Sequence, residues 1–427
     1  MGKMHFVGLL ILFYLSAAGI LAQTTIKGEA RPVATVTELT LESKVLGADK
    51  KVHLYLPEAF AVSSPDHTYP VVVVLEHQFA PMIAGTVNHL VLTGRMPETL
   101  VVTLAGEDDP FYAPRVYTNG SDYWPSNWKQ MPFDQPQDRL LDFFESELFP
   151  YLKQHYRAAD YRFLVGASSR AVLVLDSFCR RPGLFDVHVA VAAGDILGMG
   201  YREGETFIEH LTEQLQKMPS PPKKRGALYV ASALSDADYS PAIAENIKKL
   251  AQKMVPLQQK KRPLTAKLFA NDDHYAILLP AWLEVLEQVY PQARFSQDYD
   301  KLEAVEGNAL AKIDAYFAGL SQEYGFPILA PADQWNTGRS LAANGRRLMG
   351  RERYAEAAEL FARAAAYRPQ SPYLCAQQAK ALAGAGRRAE ALKAHREALA
   401  RAKKYTPDRV ETYQKQLAEA ETAAKTK

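Results

Sequence analysis

The stretch Tyr161-Arg-Phe-Leu-Val-Gly-Ala-Ser-Ser-Arg-Ala-Val-Leu-Val-Leu175 decides the fold. Phe163-Leu-Val165 reads as a buried strand, and the apolar residues after Arg170 read as the start of a helix. Gly166-Ala-Ser-Ser-Arg170 must therefore turn sharply between them. A strand, a tight turn carrying a serine and a helix together lift the serine hydroxyl above a sheet edge. Strand and helix crowd such a turn, so glycine is wanted two residues before the serine and two after. Gly166 meets the first need, and Arg170 stands at the second position.

Around this stretch, apolar runs alternate with helix-period segments. Tyr69-Pro-Val-Val-Val-Val-Leu75 is a continuous apolar run, as expected of a strand covered on both faces. Residues 99–104, 187–192, 227–231 and 265–269 are further strands. Residues 136–156 place Leu140, Leu141, Phe144, Leu148 and Leu152 on one helical face, and 170–180, 204–217, 241–254 and 280–290 behave similarly. Residues 35–57 form a hairpin: Thr37, Leu39 and Leu41 alternate with polar positions, Gly47-Ala-Asp49 turns, and Val52, Leu54 and Leu56 return. Alternating strands and helices predict a mostly parallel sheet with helices on both faces. Residues 105–135 break the rhythm with Tyr112, Tyr117, Asn119, Tyr123, Trp124 and Trp128, and read as a long loop that either lines a site or covers the sheet edge.

The two ends of the chain differ from this middle. Lys3, the apolar run Phe6 to Leu15 and the small residues Ser16-Ala-Ala-Gly19 read as a cleaved signal peptide over residues 1–22, with Ala22 before the cut. The run is short for a membrane span, so export to the periplasm or medium is expected, with no stable span after cleavage. After the sheet-forming region, 35–295, residues 296–334 form a connecting helix and a proline-bearing linker. Residues 335–420 are Ala-, Arg- and Glu-rich and helical. Within them Tyr354-Ala-Glu-Ala357 recurs as Arg388-Ala-Glu-Ala391, an offset of 34 that Phe361 and His395, and Ala364 and Ala398, share. This pattern resembles the tetratricopeptide repeat over about 336–407, and that resemblance implies paired helices offering a surface to a protein partner.

Composition excludes several classes. The 50 Lys+Arg nearly balance the 48 Asp+Glu, which gives no reason to expect nucleic acid as a partner. The two cysteines, Cys179 and Cys375, read as buried apolar residues rather than a disulfide framework, and no Cys/His cluster suggests a metal.

The chemistry-bearing residues follow a chain order. Ser168 is the candidate nucleophile. A serine hydroxyl needs a base to take its proton, and His274, in Asn271-Asp-Asp-His-Tyr275 after the last strand, is placed for that role. The acid that orients the histidine should lie between them at a strand end. Asp236 is the first choice, Asp238 the second and Asp195 the third; short acidic side chains also cap helices. Two backbone N–H groups would hold the oxyanion, from Ser169 and from the loop Glu76-His-Gln-Phe79 at His77. The side chains of His77 and Glu76 could also reach substrate or simply form a solvated turn.

These residues resemble the serine esterases of the α/β-hydrolase fold in the esterase D and enterochelin-esterase group, over about residues 35–295. Besides Tyr69 to Phe79 and Tyr161 to Leu175, the likeness rests on Arg95-Met-Pro-Glu-Thr-Leu-Val-Val102, Arg181-Pro-Gly-Leu-Phe-Asp186 and Asp273-His-Tyr-Ala-Ile-Leu-Leu-Pro280. It implies Ser168 as nucleophile, His274 as base, a small ester as substrate and no cofactor. The sequence departs from the family pattern at Ala167, Arg170 and Glu76-His77, and keeps only Arg115 and Thr118 of a further family segment. A rival expectation follows from those departures: a hydrolase shell without catalysis, serving as a binding scaffold with its helical tail. An acyltransferase on the same fold is a third.

Overall fold

The computed structural model describes residues 36–105, 137–202, 205–221, 223–259, 261–295, 307–334 and 338–425. The expected signal peptide, nearly all of the expected aromatic loop (106–135) and 296–306 of the expected connecting segment lie outside them.

The hairpin forms as β1 (Val36–Ser43) and β2 (Ala48–Tyr55). Its turn lies at residues 44–47, earlier than the Gly47-Ala-Asp49 expected, because Ala48 and Asp49 already pair in the ladder with Ser43 and Glu42. Glu147 accepts hydrogen bonds from Ser43 Oγ, Lys44 N and Val45 N, so a carboxylate from a distant helix satisfies the turn. β3 (Tyr69–Val74) leads into α1 (Ala80–Leu92) and β4 (Leu100–Leu104). Helix α1 is an addition to the expected elements. Its buried residues Ala80, Ile83, Val87 and Val91 keep helical spacing, but β-branched residues and Gly85 obscure that pattern in the sequence.

The predicted helix at 136–156 is present in three parts: α2 (Gln137–Phe143), a π-helical turn at Phe144–Leu148, and α3 (Phe149–Tyr156). Then come β5 (Ala158–Ala167), α4 (Ala171–Arg180), β6 (Val187–Val191), the short α5 (Gly194–Gly198), the small ribbon β7 (Gly200–Arg202) and β8 (Glu205–Thr206), and α6 (Phe207–Lys217). β9 (Ala227–Ala233), α7 (Ala242–Met254), β10 (Leu264–Phe269), α8 (Leu278–Val289) and α9 (Gln292–Phe295) complete this part.

Apart from the ribbon, the described strands form one eight-stranded sheet in the order β1-β2-β4-β3-β5-β6-β9-β10. β1, β2 and β4 pair antiparallel in sequence, and every pairing from β4 to β10 is parallel. Successive side chains of a strand face opposite ways, and β3 shows it. Val71, Val73 and Leu75 join the core under α2, α3, α4, α6 and α7, whereas Val72 and Val74 join the core under α1 and α8. The fold is therefore an α/β sandwich with helices on both faces.

The tail is all-helical. α10 (Ala309–Tyr324) buries Leu320 and Tyr324 in the core under α8 and gives Ala309 and Ile313 to a third core. That core holds α11 (Leu341–Gly350), α12 (Tyr354–Tyr367), α13 (Pro372–Gly384), α14 (Arg388–Tyr405) and the start of α15 (Val410–Lys425). The 34-residue offset has a packing basis: Ala357 and Ala391, Phe361 and His395, and Ala364 and Ala398 are all buried, on α12 and α14 respectively. Gly345 lets the Phe361 ring pack directly on α11, since a Cβ there would lie 2.8 Å from Phe361 Cε2. The tail also grips the sheet domain. Arg368 and Glu98 form a buried ion pair, Ser64 N–H donates to Tyr367 O (3.0 Å), and Gln370 Nε2 donates to Ala61 O (2.8 Å).

Candidate active site

Parallel strands all end on one edge of the sheet, so the residues just after them gather there whatever their separation in sequence. Glu76 follows β3, Ser168 follows β5, Asp195 follows β6, Asp236 follows β9 and His274 follows β10. These five strands are consecutive neighbours in the sheet.

Ser168 heads a tight 3-10 turn, Ser168–Arg170, between β5 and α4. Its φ of +53° lies in the left-handed region, which costs a non-glycine residue about 1 kcal/mol or more and concentrates at functional turns. Gly166 is required by space: a Cβ there would stand 2.9 Å from Arg170 O and 3.0 Å from Leu75 Cδ1. Arg170 has ordinary helical angles, φ −78° and ψ −15°, so the backbone makes no demand for glycine at that position.

His274 Nδ1 lies 2.9 Å from Asp236 Oδ1. Asp236 is buried, and its Oδ2 accepts from Ala233 N–H at 3.3 Å. The His274–Asp236 bond and the nearby charges of Asp236 and Asp195 raise the His274 pKa above its ordinary 6.5, against the opposing effect of burial. Asp238 is exposed on the same turn. Asp195, inside its short helix, accepts from the next backbone N–H, that of Ile196 (2.8 Å), and burial raises its carboxyl pKa while the Ile196 bond and His274 counter it. Of the three candidate acids, Asp236 is the one hydrogen-bonded to His274. Tyr275 packs against His274 and against Phe79, with ring centroids 4.7 and 5.6 Å apart.

His77 opens the 3-10 turn His77–Phe79, and Ser169 sits in the turn after Ser168, so both expected oxyanion donors stand at this edge. Glu76 corrects the solvated-turn alternative for its own position. It is 3% exposed, and its Oε1 accepts from Ala167 N–H at 2.8 Å. Burial pushes its carboxyl up to about 7, with the Ala167 bond and the Arg170 charge pulling the other way. The one sequence signal for this arrangement is a carboxylate directly after a wholly apolar strand.

These features meet in one recognisable family. The chain belongs to the putative esterase family, whose model matches residues 43–268. Ser168 and Asp236 fall inside the match, and His274 lies just beyond it. Among solved structures, the chain resembles an uncharacterised protein from Capnocytophaga ochracea at 15% identity and a TM-score of 0.50, covering 91% of this chain and 99% of that one. It also resembles an IroE-like serine hydrolase from Shewanella oneidensis at 19% identity and a TM-score of 0.55, covering 76% and 98% respectively. At such identities these likenesses speak for the fold. No curated protein matches the chain.

Two other features lie apart from the strand-end cluster. Glu205, His210 and Glu213 bring ligand-type atoms within 4.8 Å of one another, and Glu213 is paired with Lys217 at 2.5 Å. A cavity of about 480 Å³ opens where the sheet domain meets the helical tail, lined among others by Glu98, Arg368, Tyr373, Tyr405 and Tyr413. Both cysteines are buried and free. No helix among the described residues is long and apolar enough to cross a membrane.

Proposed function

We propose that this member of the esterase family is an exported serine hydrolase that cleaves a carboxylic ester through Ser168, His274 and Asp236. The observation that carries the reading is the His274–Asp236 hydrogen bond at the sheet edge where Ser168 occupies a left-handed turn. Ser168 Oγ attacks the ester carbonyl carbon as His274 Nε2 takes the hydroxyl proton. Asp236 holds the Nδ1–H tautomer and offsets the imidazolium charge. The backbone N–H groups of Ser169 and His77 receive the oxyanion. Collapse of the tetrahedral species expels the alcohol, which takes the proton from His274 and leaves an acyl-serine. Water, deprotonated by the same imidazole, attacks the acyl-serine and releases the acid. This chemistry asks for no metal and no organic cofactor.

Short p-nitrophenyl esters test the reading. The wild-type chain hydrolyses them, and Ser168→Ala abolishes the activity; equal rates for the two chains overturn it. Export is supported by Lys3, the apolar run from Phe6 to Leu15 and the small residues that follow. We assign the tail to tetratricopeptide-like helix pairs with a surface for a protein partner, on the 34-residue repeat of buried positions. Arg170 at the usual glycine position keeps a second reading in view, a non-catalytic scaffold on the same shell. Labelling of Ser168 by a fluorophosphonate probe separates the two: labelling excludes the scaffold reading, and its absence excludes the hydrolase.

A further inference from the structure

We propose that Glu76 is a positioning residue for the nucleophile, tying the end of β3 to the serine-bearing turn through its bond to Ala167 N–H. The inference deepens the ester-hydrolysis reading and rests on it. Glu76 is one residue away from both ends of the expected chemistry. Its side chain holds Ala167 N–H (2.8 Å), immediately before Ser168, and its backbone continues into His77, an expected oxyanion donor.

The hydrogen bond has a mechanical consequence. Ser168 is held at φ +53°, a conformation that persists only where the surroundings over-determine it. β3 and β5 already share a ladder as far as Val74 and Val165, and Leu75 N–H donates to Val165 O at 2.9 Å. The Glu76 carboxyl extends that fastening past the end of the ladder, to the last residue before the bend. A neutral carboxyl accepts the Ala167 N–H through its carbonyl oxygen as well as a carboxylate does in geometry.

The charge state matters for a separate reason. Negative charge develops at the oxyanion during attack, and a buried carboxylate bonded to the residue before Ser168 opposes it with little screening. The charged and titratable groups around this site are Arg170 from the turn after β5, His77 on the same turn as Glu76, and His274, Asp236 and Asp195 at the ends of β10, β9 and β6. Among these charges Arg170 acts on Glu76 by favouring the carboxylate, and it only partly offsets burial. The Glu76 carboxyl therefore titrates near 7, within the range where the enzyme would work. His274 must lose its proton to act as base, and its pKa is raised above 6.5. The two titrations therefore pull in opposite directions as pH rises: His274 gains activity on losing its proton, and Glu76 loses it.

The test compares wild type, Glu76→Gln and Glu76→Ala, each shown to be folded by circular dichroism, in fluorophosphonate labelling and in kcat and KM on a p-nitrophenyl ester from pH 5 to 9. Wild-type kcat/KM should rise and then fall across this range. Glu76→Gln, neutral but still an acceptor, should move the falling limb up by at least about one pH unit. Glu76→Ala should lose roughly ten-fold in kcat, with KM within about two-fold, because the acceptor for Ala167 is gone. If wild type labels at Ser168 and turns over, yet the variants match it in pH profile and kcat, the Glu76 assignment is overturned and the hydrolase reading stands. If wild type neither labels nor turns over, the hydrolase reading falls and this inference with it.

Discussion

Removing Arg368 should uncouple the helical tail from the sheet domain at a large cost in stability. The guanidinium is paired with Glu98, and both residues are buried, at 3% and 6% exposure. Glu98 lies just before β4 and Arg368 just after α12, so the pair bridges the two parts of the molecule. Glu98 has other neighbours: Gln334 Nε2 at 2.9 Å and His67 Nε2 at 3.4 Å. Burial holds His67 down at about 4, so it carries no charge at neutral pH and cannot replace the arginine. Arg368→Met keeps much of the volume and leaves the Glu98 carboxylate buried without a counter-charge. Breaking a buried pair from one side costs about 3–5 kcal/mol. Glu98→Gln strands the arginine in turn, although Asp333 Oδ1, 3.7 Å from Arg368 Nε, compensates part of that charge. Replacing both removes the unpaired charge, so the double variant should be more stable than Arg368→Met alone. Urea unfolding at pH 7, followed by circular dichroism, measures all four chains in one double-mutant cycle. A loss below about 1 kcal/mol for Arg368→Met, or single losses that simply add, would refute the reasoning.

Three further outcomes follow from the strand-end cluster. Burial raises the Glu76 carboxyl from 4.5 to about 7, so its stabilising protonation is fully present below pH 4.5 and is lost as pH rises to 7, roughly 3 kcal/mol in all. Glu76→Gln escapes that loss, and its stability relative to wild type should climb between pH 4.5 and 7 and then level off; a flat difference in urea midpoints speaks against the burial argument. Gly166→Ala pushes a Cβ to 2.9 Å from Arg170 O, a backbone atom with little freedom, and should cost about 1–3 kcal/mol by the same assay; an unchanged midpoint contradicts it. Asp236→Asn removes the bond that raises His274 and should shift the rising limb of kcat/KM to lower pH while lowering the rate by about 10² or more. The His274–Asp236 contribution to stability is present below 6.5 and lost as pH rises through the higher folded value, so the variant's deficit should shrink toward alkaline pH.

Much of this was legible along the chain because it depends on local pattern. Apolar runs such as Tyr69 to Leu75 mark strands buried on both faces, and the crowding around Gly166 marks the bend after β5. The 34-residue recurrence marks helices that bury small residues against one another. Helix α1 is not legible in the chain because Thr86, Val87 and Val91 weaken its propensity, while burial of Ile83 and Val87 against the sheet outweighs that weakness.

By itself the sequence determined the strand–helix alternation, the serine at a bend and the later histidine, since each is written in the spacing of neighbouring residues. Tertiary structure alone decided that Asp236 rather than Asp238 or Asp195 bonds His274, that Arg170 adopts ordinary helical angles, and that Glu76 is buried against Ala167. The physical reason is that these are relations between the ends of separate strands. Order and register in the sheet bring together side chains that lie far apart in the chain, and only their burial fixes which groups ionise.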